Sequence, residues 1–163
     1  MMKIDIHLAE IENLNSLVAI YKSAFLKHNI FCKSSADILA YLEESHKDNL
    51  MFGGGYLVAK VNDTVVGGIL VRKKEDIWKL NHLAVKKEFR RQGIATQLVK
   101  RALEIIKGLC TNLTIKISVS EDEKGLISFY EKFGFKLEQT LKDYYRPGEE
   151  VYVLSMNNLQ KPL

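Results

Sequence analysis

Four cations and one anion stand together in Lys86-Lys87-Glu88-Phe89-Arg90-Arg91, and the run leads through Gln92-Gly93 into Ile94-Ala95. A basic loop that opens a helix suits a phosphate. The first helical turn leaves backbone N–H groups unpaired, and the helix dipole favours an anion there. Gly93 allows a pyrophosphate to approach those amides closely, and Ala95 is small enough for the next turn to come near. Two other phosphate loops are excluded by spacing: the chain has no GxxxxGK followed by Ser or Thr, and no GxGxxG with a later ribose-binding acid. Taken alone, the RxxGxA pattern is equally a helix start with solvated arginines.

The elements around this loop follow from periodicity. Residues 3–8 alternate Ile4, Ile6 and Leu8 with polar neighbours, which predicts a strand. From Ile11 onward, Leu14, Leu17, Val18, Tyr21 and Phe25 recur at helical spacing, and a second helix is expected over 35–46, capped by Ser34 or Ser35. Residues 56–61 and 64–71 form a hairpin through Asn62-Asp63, and 77–85, apolar on both faces, belongs in the middle of a sheet. The clearest helix carries Ala95, Leu98, Val99, Ala102, Leu103 and Ile106 on one face. Further strands are expected over 113–119, near 135–138 and over 150–156, with a short helix over 125–133. This order describes one mixed α/β domain without repeats.

Composition narrows the function. The 163 residues are 47% hydrophobic and 27% charged, as in soluble globular proteins, and can bury a full core. No apolar run approaches the ~20 residues of a membrane span, and the N-terminal residues lack a signal-peptide stretch, so a cytoplasmic location is expected. A net charge of +4, concentrated in one loop, argues against a nucleic-acid face. Cys32 and Cys110 have neither disulfide nor metal-ligand spacing, and no metal is expected.

The stretch Leu80-Asn81-His82-Leu83-Ala84-Val85, followed by Glu88-Phe89-Arg90-Arg91-Gln92-Gly93-Ile94-Ala95, resembles the acetyl-CoA segment of the GCN5-related N-acetyltransferase (GNAT) family. The run Ile127-Ser128-Phe129-Tyr130-Glu131-Lys132-Phe133-Gly134-Phe135 resembles that family's second signature, in the right order, and residues 144–156 are similar to its last hairpin. The resemblance implies the acyl-CoA N-acyltransferase fold: an α/β (α+β) architecture with a mixed, mostly antiparallel sheet of six or seven strands, flanked by about four helices and splayed at its centre. One N-acetyltransferase domain would span 1–163. The resemblance further implies that Arg90, Arg91, Gln92, Gly93, Ile94, Ala95 and Thr96 hold the coenzyme's pyrophosphate. The backbone of Leu83, Ala84 and Val85 would pair with its pantetheine arm and stabilise the oxyanion. Tyr130 matches the tyrosine that protonates the departing thiolate, a position a core aromatic would also fill.

This chain has Glu123 and Leu126 where the family often has Asn and, three residues later, Ala, and Glu123 is not counted among the coenzyme's contacts. A primary amine must lose a proton on attack. His82 is the candidate base, since a base near pH 7 is favoured, although a lone histidine is more often structural; Asp76, Glu121 or a water chain are weaker options. Strand alternation sets His82 opposite Leu83 and Val85, and sets Asn81 on their face. Lys86, Lys87 and Arg91 either meet the 3′-phosphate or are solvated charges, the simpler account. Tyr21, Phe25, Phe31, Tyr144 and Tyr145 either line the acceptor pocket or pack the core.

The expected function is direct transfer of an acetyl group from acetyl-CoA, as acyl-donor cosubstrate, to a primary amine. The partners implied are acetyl-CoA and an amine acceptor, small molecule or protein, with no nucleic acid and no membrane, and with a homodimer as one option for assembly. The alternative is a non-catalytic acyl-CoA-binding sensor or regulatory domain. The acceptor itself has no signature in the sequence.

Overall fold

The computed structural model describes residues 2–110 and 112–158. Seven strands form one sheet: β1 (Ile4–Leu8), β2 (Gly55–Val61), β3 (Thr64–Lys74), β4 (Ile77–Val85), β5 (Leu113–Ser120), β6 (Lys136–Lys142) and β7 (Glu150–Asn158). Their order across the sheet is β1-β2-β3-β4-β5-β7-β6, and every pairing is antiparallel except β4 with β5. The strand expected at mid-sheet is therefore the fourth of seven. Residues 62–63 turn β2 into β3 with φ of 50° and 65°, a left-handed pair that Asn and Asp tolerate and that matches strand twist.

Four helices cover the sheet: α1 (Ile11–Ala24), α2 (Ser35–Leu50), α3 (Ile94–Leu109) and α4 (Leu126–Glu131). Helix α2 runs one turn past its expected end, and Ser34 caps it by accepting from the Asp37 N–H at 3.1 Å. The apolar stripe of α3 (Leu98, Val99, Ala102, Leu103, Ile106) closes one core with Leu57, Ile69, Trp78, Leu80, Ile115 and Leu154. Leu14, Leu17 and Tyr21 of α1 and Ile38 and Leu42 of α2 close a second with Tyr56, Val58, Leu70 and Ala84. The central strands are sandwiched between two apolar layers, which is why they lack alternation. Among the described residues, no helix is long and apolar enough to cross a membrane.

Candidate active site

Strands β4 and β5 run parallel, yet they pair only at Ile77↔Thr114, Trp78↔Ile115 and Lys79↔Lys116. Beyond Lys79 they part, so the β5-facing edge of β4 leaves the ladder over residues 80–85. The cause lies on the opposite edge. Between Gly68 and Leu70 the β3–β4 register shifts, with β4 carrying one residue more than β3, and His82 sits in this bulge at φ 57°. A bulge bends its strand and re-aims side chains. It also ends strict alternation: Leu80, Leu83 and Val85 all pack toward the α3 core, which an unbroken strand forbids. The expectation that Asn81 shares the face of Leu83 and Val85 rested on that alternation and is corrected here.

The wedge widens toward the C-terminal end of β4, where the basic loop begins. One turn of 3-10 helix (Lys87–Phe89) leads to Arg90, whose Nε donates to the Val85 carbonyl at 2.9 Å and ties the loop to the strand end. Arg91 (φ 62°) and Gly93 (φ 82°) are both left-handed, and they turn the chain into α3. Glycine adopts that conformation without strain, and nothing lies within 4 Å of where a Gly93 Cβ would stand. The first turn of α3 holds no acidic residue. Ile94, Ala95 and Thr96 thus start a helix with no carboxylate in its first turn to occupy its N–H groups and dipole.

A cavity of about 260 Å³ opens where the strands part. It is lined by Leu80, Asn81, His82 and Leu83 of β4, by Ile117, Ser118, Val119 and Ser120 of β5, and by Asp122, Glu123, Leu126 and Tyr130. The α1–α2 loop adds Phe25, Lys27, His28 and Asn29, and the β6–β7 loop adds Tyr145 and Arg146. The structure therefore brings His82, Leu83 and Tyr130 to one cavity, while residues 90–96 stand at the α3 end of the wedge. Asp76 lies in the β3–β4 turn, at the closed end of the pair, and Glu121 accepts the Glu150 N–H at 3.1 Å. Neither lines the cavity. Of the aromatic candidates, Phe25 and Tyr145 line it, Tyr21 and Phe31 are core, and Tyr144 is exposed.

Sequence reasoning missed the surroundings of His82. Its ring is enclosed by those of Phe31 (5.0 Å between centroids), His28 (5.6 Å), Tyr21 (5.8 Å), Tyr41 (6.0 Å), Phe25 and Tyr56. Its Nδ1 shares a hydrogen bond with the Tyr56 hydroxyl at 3.2 Å. Desolvation, then the neighbouring His28 and Arg72, push its pKa down to about 3. That removes the reason for choosing it as a base near pH 7: the imidazole is neutral, and a weak base. Tyr130 is shifted the other way, its hydroxyl held well above the ordinary range by burial and by Glu123. It remains a proton donor at neutral pH. Asn81 Oδ1 is a buried acceptor without a hydrogen-bond partner in the protein, an oxygen in the cavity wall open to a donor from water or ligand. Among the described residues, no group of three His, Cys, Asp or Glu gathers to hold a metal.

The sequence model of the acetyltransferase (GNAT) family matches residues 15–135. The chain is 30% identical to an N-alpha-acetyltransferase of Saccharolobus solfataricus over 116 residues, 64% of this chain and 70% of the relative. To the N-alpha-acetyltransferase 50 of Danio rerio it is 32% identical over 117 residues, 66% of this chain and 67% of the relative. The fold is that of a GNAT superfamily phosphinothricin acetyltransferase from Sinorhizobium meliloti, solved in complex with acetyl-CoA, with a TM-score of 0.78 at 16% identity, covering 99% of this chain and 94% of that one.

Proposed function

The chain belongs to the acetyltransferase (GNAT) family, and from that premise we propose that it transfers an acetyl group from acetyl-CoA to a primary amine, directly, in a ternary complex. The observation that carries this reading is the wedge: β4 pairs with β5 only over residues 77–79, and beyond them a cavity lined by both strands holds Tyr130. An extended thioester with an anionic end fits it. The pyrophosphate takes the N-terminal amides of α3 and the loop 90–96, where the space at Gly93 leaves room for it. The pantetheine arm takes the place of a strand along Leu83, Ala84 and Val85, and a backbone N–H there meets the thioester oxygen. Tyr130 gives its proton to the departing thiolate. Asn81 Oδ1 accepts from the incoming amine, and His82 stays neutral and serves as part of the acceptor wall. The N-alpha-acetyltransferases among the relatives support a polypeptide α-amine as the first acceptor to try.

The weak basicity of His82 favours one second reading, an acyl-CoA-binding domain without turnover. One experiment separates the two. Thermal unfolding with millimolar acetyl-CoA should raise the midpoint, since ligand at 100 times its Kd adds about 2.7 kcal/mol. Thiol release is then followed with a panel of amines. Release that falls about 100-fold in Tyr130→Phe, with the midpoint rise intact, supports transfer with Tyr130 as acid. A midpoint rise without release selects the binding domain, and no rise sinks both readings.

A further inference from the structure

The amine must give up a proton on attack, and the imidazoles and carboxylates that line the cavity are His28, His82, Asp122 and Glu123. Both histidines are made less basic, His82 by desolvation and charge and His28 by desolvation and then Arg146. Glu123 is shifted toward greater basicity, by desolvation and then by Asp122. It shares a wall with Tyr130. The two residues stand seven apart on consecutive elements, the 3-10 turn Glu121–Glu123 and α4, and the carboxylate raises the Tyr130 hydroxyl's pKa. Of these four groups Glu123 stands on the turn that leads directly into the helix of Tyr130, so one wall of the cavity offers a carboxylate and a hydroxyl to the reacting atoms.

We propose that Glu123 is the general base of the transfer reaction, a role that rests on the acetyltransferase reading above. The amine enters as the free base. Its nitrogen forms the C–N bond at the thioester carbon, and the C–S bond breaks. The proton leaving nitrogen goes to the Glu123 carboxylate, and the thiolate takes the Tyr130 proton. Return of the Glu123 proton to the tyrosinate, directly or through water, restores both groups and leaves amide and free thiol as the only products. A carboxylate thereby stands where the family often has the neutral amide of Asn. The charged and titratable groups facing Glu123 are Asp122 beside it, Tyr130 on α4, and Lys27, His28, His82, Tyr145 and Arg146 around the same cavity. Glu121 and Lys124 flank it in sequence but are turned to the Glu150 N–H and the Tyr152 ring.

The test compares wild type, Glu123→Gln and Glu123→Asp, using acetyl-CoA with an alanine-led tetrapeptide and with benzylamine. In the wild type, kcat at saturating acceptor should fall on acidification through a limb that stands at the same pH for both amines, which assigns it to the protein. Glu123→Gln should keep the acetyl-CoA-induced rise in unfolding midpoint, lose that limb and lose about 100-fold in kcat. Glu123→Asp should recover part of the rate, with the limb moved to lower pH, and it decides the matter if the glutamine variant does not fold. A limb and a kcat unchanged in the variants overturn the assignment while leaving the acetyltransferase reading intact. A wild type that binds acetyl-CoA but acetylates neither amine overturns the acetyltransferase reading, and this step with it.

Discussion

His82 shows how far a side chain's chemistry is set by its neighbours. Free imidazole titrates near pH 6.5, and six rings drawn from α1, its following loop, α2 and β2 bring it to about 3. The unfolded chain binds a proton there below pH 6.5, and the folded chain does not, so this site destabilises the fold as pH falls from 6.5 toward 3, by up to about 1.4 kcal/mol per pH unit. His82→Asn, which tolerates the left-handed backbone, should flatten the loss of stability between pH 6.5 and 4 measured by urea unfolding. The slope that persists includes His28 and His46, both also lowered by burial, and Glu12, lowered by hydrogen bonding. An unaltered slope would mean that His82 titrates normally. Nothing local in the sequence marks this histidine, because its cage comes from residues between 26 and 61 positions away.

At the scale of elements, the decisive feature is the bulged edge between β3 and β4. Gly67 packs so closely there that an added Cβ would stand 2.8 Å from the Ala84 carbonyl oxygen and 3.2 Å from Val85 Cγ2. The nearest neighbour is backbone and gives way only if β4 moves. Gly67→Ala should therefore cost about 1–3 kcal/mol in urea unfolding and weaken acetyl-CoA binding, because residues 84 and 85 form the wedge wall. Full stability with full coenzyme affinity would show that the strand has room to spare. The elements themselves were legible: the boundaries of β4 coincide with those predicted, and α3 extends the predicted stripe by only a few residues. The bulge was not, since residues 80–85 are compatible with an unbroken strand and only the register against β3 shows the extra residue.

Over the whole molecule, the side of the cavity proposed for the acceptor is made by segments remote in sequence. Arg146, in the β6–β7 loop, donates from Nη1 to the Lys27 carbonyl and from Nε to Glu149 Oε2 at 2.7 Å, and Lys27 Nζ lies 3.9 Å from Glu149 Oε1. This clasp joins two loops across the cavity mouth. The groups are partly exposed, so the clasp is worth little in stability, about 1 kcal/mol or less. Its effect is on placement. Arg146→Ala should raise the KM of the amine several-fold while leaving the KM of acetyl-CoA and the unfolding midpoint nearly unchanged. A rise confined to the acetyl-CoA KM would put the clasp on the wrong side of the wedge.

The sequence by itself determined what short-range patterns encode. A 3.6-residue stripe, a two-residue turn with tolerant side chains and a glycine before a basic helix start each specify local backbone, and together they pointed to one mixed α/β domain and to a loop proposed to bind an anion. Residues 90–96 could be named because their chemistry is that of consecutive amides on one helix end. Tertiary structure decided everything that depends on who stands beside whom. It opened the wedge by a register shift, made His82 a weak base by enclosing it, and placed Glu123 on the wall that carries Tyr130. The physical reason is that burial and Coulomb effects act through space, over a few ångströms, between residues the chain holds far apart.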